Sequence, residues 1–557
     1  MSDIIKTQRS LARKALYQPK HRFDHLYRII CQEEWISTAI TRVLANKGAR
    51  TAGIDGVTRK TLSTKATGAV FLQEVREELR EQRFQPEPVR RVFIPKAQGK
   101  VRPLGIPTLK DRVVQMLVKM ALEPIWESDF LACSNGFRPG RRTMDCIARL
   151  DSYINNQNKY YWIIEGDIKG AFDNIHHGIL LEVLAERIAD ARLLDLVDRF
   201  LKAGVMEGTL FRRSEVGTPQ GGICSPLLAN IYLHQLDLYW WKRYGSLLPR
   251  DKARRRAAHQ GNCTLIRYAD DWLLLTNGDK AEAYRLRQEF QAFLAEELKL
   301  TLSVEKTHVT HVNEGVDFLG FHIRRYVRPG SRPKMLVMPN DKAQRQLKAK
   351  IKEMTDRKRA GDAPLLKLSA LNLVLRGWIA YFRHCNAKEI AHELDFWVGD
   401  RVFRWLKKRQ RLGQREVLAQ YKRYQNGTRH NWGVWTGEKC LFLYRMSDQP
   451  ITKYRSRTIP NPYLSGTWDT TCEPAEVPLS EEVWMGNSNQ TRWRVHKAEV
   501  KAERGVQCEN CGSPVALDLH HLIAPREGGQ DTKANAQLLC RRCHVQTPTY
   551  GLNARRQ

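Results

Sequence analysis

The chain has 557 residues, enough for about three to four domains at the usual ~150 residues each. Hydrophobic residues make up 42% and aromatics 9%, which supplies several packed cores and excludes wholesale disorder. Lysine plus arginine number 92 against 60 aspartates and glutamates, a formal net charge of +32, and an excess of that size points to a polyanionic partner, most commonly nucleic acid. No run approaches the ~18 uninterrupted apolar residues of a membrane span, so no membrane partner is expected. The opening residues lack the apolar stretch of a secretory signal. Twelve cysteines in so long a chain are not a disulfide framework, and four have metal-ligand spacing, so the expected compartment is reducing.

From about residue 20 to 325 the pattern is mixed. Short runs rich in β-branched and aromatic residues (161–164, 264–266 and 272–275) alternate with helical patterns such as 113–122. A turn-rich basic segment at 326–334 reads as a boundary. After it, Asn340 or Asp341 can cap a helix with Leu347, Ile351 and Met354 on one face. The stretch 341–425 reads as wholly helical, its polar face flooded with basic residues. From 447 to 490, prolines, tryptophans and turn residues without periodicity read as an irregular module or long linker. The last ~55 residues form a separate unit bearing cysteines and histidines.

Two places concentrate carboxylates. In the run Tyr-Tyr-Trp-Ile-Ile-Glu-Gly-Asp-Ile-Lys-Gly-Ala-Phe-Asp at 160–173, a buried-type strand ends at Asp167. The run Leu-Ile-Arg-Tyr-Ala-Asp-Asp-Trp-Leu-Leu-Leu at 265–275 is two apolar strands parted by Ala269, Asp270 and Asp271, as in a hairpin with acids at its turn. Adjacent carboxylates repel unless a cation lies between them, and oxygen ligands suit Mg²⁺, which also bridges nucleotide phosphates. With Asp167 they could hold two such ions for in-line phosphoryl transfer. Taken alone, the 270–271 pair reads better as a solvated turn.

It does not stand alone. Tyr-Ala-Asp-Asp at 268–271 and Asp-Ile-Lys-Gly-Ala-Phe-Asp at 167–173 occur with five other segments. These are 91–107 followed by Asp111 and Arg112, Ser-Asn-Gly-Phe-Arg-Pro-Gly at 134–140, Gly-Thr-Pro-Gln-Gly-Gly at 217–222, Ser-Val-Glu-Lys-Thr at 303–307 and Phe-Leu-Gly-Phe at 318–321. In this order the seven motifs resemble the reverse transcriptases, and within them the group II intron-encoded reverse transcriptase/maturases. The resemblance implies that Asp167 and Asp270 are the principal ligands of two Mg²⁺ ions, with Asp271 assisting or placing the primer end. Lys96 and Arg102 would clamp the incoming deoxynucleoside triphosphate, or else belong to a solvated basic face. Phe172 would stack on the incoming sugar and exclude a 2′-hydroxyl, or else be a core aromatic. Gln220, with its following glycines, would approach the template–primer.

Downstream, the stretch 375–386 interleaves aromatic and basic residues. At helical spacing Trp378 and Phe382 share a face with Leu375, as core residues do. Arg376, Arg383 and the cluster at Arg401, Arg404, Lys407, Lys408, Arg409 and Arg411 are the candidates for phosphate contacts. This region resembles the maturase or X region, which supplies the polymerase thumb and an intron-RNA surface.

At the C-terminus, Cys508 and Cys511 form one Cys-x-x-Cys knuckle and Cys540 and Cys543 another. Four thiolates so paired suit a closed structural Zn²⁺ site, a staple that a unit this small needs. Between the knuckles lie His520, His521, a glycine pair at 528–529 and Asn535, and His544 follows Cys543. The set resembles the HNH nuclease fold. That implies His521 as general base, Asn535 orienting it, and His544 and His520 as ligands of a divalent Mg²⁺ or Mn²⁺ ion. Many HNH units carry a further histidine three or four residues after the position of His544, and this chain has none there; water or Asp518 would complete the coordination. The plainer alternative is a DNA-binding zinc ribbon.

The resemblance therefore implies a multidomain α/β and α protein. Its parts are a right-hand reverse transcriptase with fingers and palm (1–330), a helical thumb/maturase domain (331–440), a DNA-binding or linker region (441–500) and a zinc-stapled HNH domain of ββα-metal type (501–557). It implies RNA-directed DNA polymerase, maturase and DNA endonuclease activities, with the host group II intron RNA as ribonucleoprotein partner and target DNA as substrate. The expected place is the bacterial cytoplasm, at the nucleoid, or an organelle. Two other readings stay open at this level: a splicing cofactor with a vestigial polymerase, and a DNA endonuclease with an RNA-binding adaptor.

Overall fold

The computed structural model describes residues 3–465 apart from 63, 96–100, 156–158, 208–209, 213–216, 218–220, 259, 304, 306, 328, 331–332, 357–362, 426–428, 437–438 and 455–457, and then 509–511, 517–521, 536–540 and 543. The chain divides into two compact units, Met1–Cys472 and Glu473–Gln557.

The centre of the first unit is a four-stranded antiparallel sheet built from β3 (Trp162–Asp167), β6 (Cys263–Tyr268), β7 (Asp271–Thr276) and β8 (Val309–His311), in the order β6-β7-β3-β8. β6 and β7 are almost wholly buried, which is why they read as continuous apolar runs rather than alternating ones. Helices cover the sheet. Leu109–Asp129 starts on Thr108, whose hydroxyl accepts from Asp111 N, and Lys280–Glu296 starts on Asp279, which caps Glu282 N. Each cap satisfies a donor that a helix N-terminus leaves open. Ser225–Trp240 completes this layer. A second sheet, order β2-β1-β4-β5, pairs β1 (Val89–Pro95) and β2 (Val101–Ile106) as an antiparallel hairpin, with β4 (Val205–Glu207) parallel to β1 and β5 (Leu210–Arg212) at the edge.

The basic segment at 326–334 lies between two paired strands. It joins β10 (Phe321–Tyr326) to β11 (Lys334–Pro339) in a hairpin whose third strand is β9 (Val316–Phe318). One apolar cluster runs from Ile163, Ile266 and Leu273 of the central sheet through Phe321 and Val337 to Leu375 and Val402. The turn chemistry marks a reversal of the chain, and the core passes beneath it without a break. Asn340 caps the helix Asp341–Met354 through Ala343 N, and Leu347, Ile351 and Met354 form its buried face, as their spacing predicts. The helices Pro364–Phe382, Lys388–Gln410 and Gln414–Tyr421 follow. The helical stretch ends at Tyr421 rather than 425, because 422–442 forms a three-stranded sheet of β12 (Lys422–Gln425), β13 (Arg429–Thr436) and β14 (Lys439–Phe442). Pro364–Phe382 is long and apolar enough, by length and composition, to cross a membrane. Here Leu368, Leu371, Leu375, Ile379 and Phe382 sit in the core, and Lys367 is buried with Nζ donating to Met354 O at 2.7 Å.

Residues beyond β14 return to the N-terminal half. Tyr454 donates to Asp145 Oδ1 at 2.6 Å, Asn461 Nδ2 to Ser128 Oγ at 3.1 Å, and the buried Tyr463 hydroxyl to Glu123 Oε2 at 2.8 Å. In the second unit the described residues form an antiparallel pair, β15 (Leu517–His521) with β16 (Ala536–Cys540), in a register that sets Leu517 opposite Cys540 and His521 opposite Ala536.

Candidate polymerase active site

Asp167 ends β3 and Asp271 begins β7, and the two are cross-strand partners; Asp271 also pairs with Tyr268 across the hairpin whose tip is Ala269 and Asp270. The register thus brings the ends of all three predicted acidic positions to one edge of the sheet. Directly opposed like charges destabilise an antiparallel pair, so the arrangement fits a cation between them. Among the described residues the side chains themselves do not converge into a group of three or more metal ligands. Asp167 is further fixed by its carbonyl, which accepts from Ser303 N at 2.8 Å; the 303–307 motif is the segment that holds this strand end in place.

The hairpin tip is held by a residue the motif reading passed over. Ala269 has φ +56°, a left-handed conformation costing about 1–2 kcal/mol for a residue with a Cβ. Its carbonyl accepts from Arg267 at 2.9 Å. The same guanidinium, fully buried, donates to both oxygens of Asp237 at 2.8 and 2.6 Å, to Asn230 Oδ1 at 2.9 Å and to Ser134 Oγ at 2.8 Å. Asp237 is also fully buried, and Arg267 holds its carboxyl below the usual range against the opposing effect of burial. A cation within an apolar strand, with an acid on the apolar helix Ser225–Trp240, is a signal the sequence did carry, since a buried charge requires a partner.

The remaining motifs pack around this tip. In 134–140, Gly136 lies so close beneath the turn that a Cβ there would collide with Ala269 N, and its carbonyl accepts from Asn230 Nδ2 at 2.8 Å. Arg138 is a structural clamp, paired with the buried Glu127 at 2.9 Å and stacked on Phe130. In 217–222, Gly217 has φ +95° and a Cβ would come within 2.7 Å of Asp173 O, so only glycine fits between the two motifs. Phe172, half-buried in the turn after β3, meets Phe137 edge-on at 6.3 Å, and both rings line a narrow cavity with Ala269 and Asp270. In 318–321, Phe321 stacks on Tyr381 at 5.3 Å and abuts Phe382 at 5.1 Å, while Tyr381 donates to Leu319 O at 2.9 Å. The aromatics of the 375–386 stretch therefore join the helical layer to the β9–β11 sheet.

Two carboxyls of the first unit are perturbed by burial. Asp111 is pushed up to about 7 despite accepting from Thr108 Oγ at 2.7 Å, and Glu165 is pushed up to about 7 by burial and by Asp317. Beside Asp111, Arg112 donates to the carbonyls of Gly48, Thr51 and Pro107, tying the N-terminal helices to the β2 exit.

Lys96 and Gln220 lie outside the described residues, and Arg102 is placed on β2 opposite Ile94 by its backbone alone. Of the predicted phosphate contacts, Lys407 and Lys408 are exposed, Arg404 is paired with Asp400 at 2.9 Å, Arg376 lies over the Tyr444 ring at 5.0 Å, and Arg383 donates to His384 at 3.0 Å. In the second unit, His520 and His521 lie at the end of β15 opposite Gln537 and Ala536, and Cys540 closes β16. Cys543 is buried and Cys511 exposed, whereas Cys508, Asn535 and His544 lie outside the described residues.

Three family models match the chain: reverse transcriptase (RNA-dependent DNA polymerase) over residues 94–323, group II intron maturase-specific domain over 344–424, and HNH endonuclease over 508–547. Protein YkfC of Escherichia coli (strain K12) is 41% identical over 362 residues, covering 61% of this chain and 93% of that protein. Group II intron-encoded protein LtrA of Lactococcus lactis subsp. cremoris is 33% identical over 348 residues, 54% of this chain and 57% of LtrA. An uncharacterized 91 kDa protein in the cob intron of Schizosaccharomyces pombe is 25% identical over 616 residues, 98% of this chain and 72% of that protein. With all three domains in one polypeptide, the chain belongs to the group II intron-encoded reverse transcriptases that carry a maturase domain and an HNH endonuclease domain.

Proposed function

We propose that the protein binds the intron RNA that encodes it, assists its splicing, and copies that RNA into DNA at a target site where the HNH domain cuts the second strand to free a primer end. The observation that carries the polymerase part is the cross-strand pairing of Asp167 with Asp271 beside the Ala269–Asp270 turn. Asp167 and Asp270, assisted by Asp271, would hold two Mg²⁺ ions, which when bound offset the charge of the triphosphate and of the attacking 3′-oxygen. The chain's own residues do the rest. Phe172 sets a wall against a 2′-hydroxyl, with Phe137 bracing the ring. Lys96 and Arg102 supply cations for the triphosphate, and Gln220 meets the template–primer.

By this reading 1–330 forms fingers and palm, 331–440 thumb and maturase surface, 441–500 a DNA-binding or linker region, and 501–557 the nuclease. Lys407 and Lys408, exposed at the end of a helix, suit RNA phosphates best among the predicted cations. Cys508, Cys511, Cys540 and Cys543 would hold a structural Zn²⁺, since paired thiolates form its preferred donor set. In the nuclease, His521 would take the proton from water and Asn535 orient its ring, with His520 and His544 for the divalent ion.

Asp270→Ala is expected to abolish extension of a primed RNA template and to leave splicing assistance largely intact; cDNA from this variant would refute the assignment. His521→Ala is expected to block second-strand cleavage and spare RNA-templated synthesis. Undiminished cutting would reduce the C-terminal unit to a zinc ribbon.

A further inference from the structure

The stretch after β14 reads in sequence as an irregular module or long linker, yet two parts of it are anchored on the polymerase. At the first, Thr452 N donates to Arg383 O at 3.0 Å. Arg383 Nε donates to His384 Nε2, so the ring proton sits on Nδ1, which donates to Thr452 O at 2.8 Å. The Tyr454 ring meets His384 edge-on at 5.2 Å, and its hydroxyl donates to Asp145 Oδ1 at 2.6 Å. At the second, a Cβ on Gly140 would touch Ile459 Cγ2 at 3.9 Å. Beside it Asn461 donates to Ser128 Oγ, and Tyr463, only 4% exposed, donates to Glu123 Oε2 at 2.8 Å.

Each anchor point belongs to an element that touches a polymerase motif. Arg383 and His384 follow the helix Pro364–Phe382, whose Tyr381 and Phe382 meet Phe321 of the 318–321 motif. Asp145 lies in the first turn of the helix Thr143–Asn155, just after Gly140 ends the 134–140 motif. Glu123 sits one turn before Glu127 on the helix Leu109–Asp129, and Glu127 pairs with Arg138 of that motif. Gly136 of the same motif lies beneath the Ala269 turn. The two tyrosines thus tie the outer side of the 134–140 motif to the end of the helix Pro364–Phe382 from 309 and 340 residues away. A chain that serves only as a spacer has no need to set tyrosine hydroxyls on carboxylates, and ordering it costs about 1–2 kcal/mol of backbone entropy per residue.

From these anchors we infer that residues 452–454 and 459–463 brace the polymerase. Tyr454 and Tyr463 are positioning residues for RNA-templated synthesis, holding the 134–140 motif and the end of the helix Pro364–Phe382 at a fixed separation. The inference rests on the polymerase reading, in which these two elements close on the primed template from either side. Both hydroxyls are engaged by Asp145 and Glu123 rather than by the acidic edge. The brace therefore governs how the primed template is held and leaves the chemical step to Asp167 and Asp270. It also gives part of the 441–500 region a task inside the polymerase.

The test uses full-length protein, a primed RNA template and deoxynucleoside triphosphates, with Tyr454→Phe, Asp145→Ala, their double variant and Tyr463→Phe. Tyr454→Phe keeps the ring on His384 and removes the bond to Asp145, at a half-buried position outside the core. It is expected to raise the KM for primed template about two- to tenfold, the effect of losing one hydrogen bond. The product made per binding event is expected to shorten, with kcat at saturating template unchanged. The double variant is expected to be no worse than Asp145→Ala, since both changes remove the same bond. Tyr463→Phe is expected to act in the same direction as Tyr454→Phe. The proposal is overturned if both tyrosine variants bind and extend primed template as wild type does. It is equally overturned if kcat and the melting transition fall together while KM stays constant, the mark of a purely structural role. Wild type that extends no primed template refutes the polymerase reading itself, whereas wild-type extension with unchanged variants refutes the brace alone.

Discussion

Arg267 offers the sharpest test of how the hairpin carries its acids. In Arg267→Met the Asp237 carboxylate is left at 0% exposure without its counter-charge. Breaking a buried pair by removing one partner costs about 3–5 kcal/mol, a large part of the 5–15 kcal/mol that holds a typical domain. Ala269 O also loses its donor, so the left-handed turn, itself costing about 1–2 kcal/mol, loses the contact that enforces it. Stability and positioning separate in the double variant Arg267→Met/Asp237→Leu. Exchanging both members of a buried ion pair for apolar residues is often neutral or stabilising, so its denaturant midpoint is expected to return most of the way to wild type. Primer extension is not expected to follow, because nothing restores the bond to Ala269 O, and a displacement of about 1 Å at a reacting group costs on the order of 100-fold in rate. The assays are denaturant unfolding and single-turnover extension at saturating template, with extension also measured across a range of Mg²⁺. A double variant that regains both stability and wild-type extension would show that Arg267 serves the fold alone and refute the positioning argument.

Gly166 precedes Asp167 and faces Trp272, and a Cβ there would fall inside the buried indole. Gly166→Ala is expected to cost about 1–3 kcal/mol by overpacking and to slow extension by shifting β3 against β7; an unchanged melting transition with normal extension would contradict this. Burial keeps the Asp111 carboxyl protonated up to about 7 in the fold, while in the unfolded chain it ionises near 4. Between those values the native state holds the extra proton, so stability declines as pH rises through about 4 to 7, by at most about 4 kcal/mol at this group. Asp111→Asn, which keeps an oxygen for Thr108 Oγ, is expected to flatten that part of the stability curve; a slope equal to wild type would place the titration elsewhere.

The placement of the proposed acidic residues was legible along the chain: Asp167 at a strand end, Asp270 and Asp271 at a turn, glycines where motifs touch. What supports them was harder to read, for a physical reason. Arg267 meets its partners Ser134, Asn230 and Asp237 at separations of 133, 37 and 30 residues, and a pattern read along the chain sees only neighbours. The segment at 326–334 shows the same limit: proline and glycine mark a reversal, but whether a core continues beneath it depends on Phe321 meeting Tyr381 and Phe382 from sixty positions away. The sheet at 422–442 was missed because it follows four helices and its short strands are broken by glycine and asparagine, with Trp432 buried against the helix that carries Gly399. The motifs mark the proposed reacting groups, and the long-range contacts decide whether those groups stand still. For that reason the variants most able to distinguish this account from a mere likeness of motifs are Arg267, Gly166 and Asp111, whose chemistry touches no substrate.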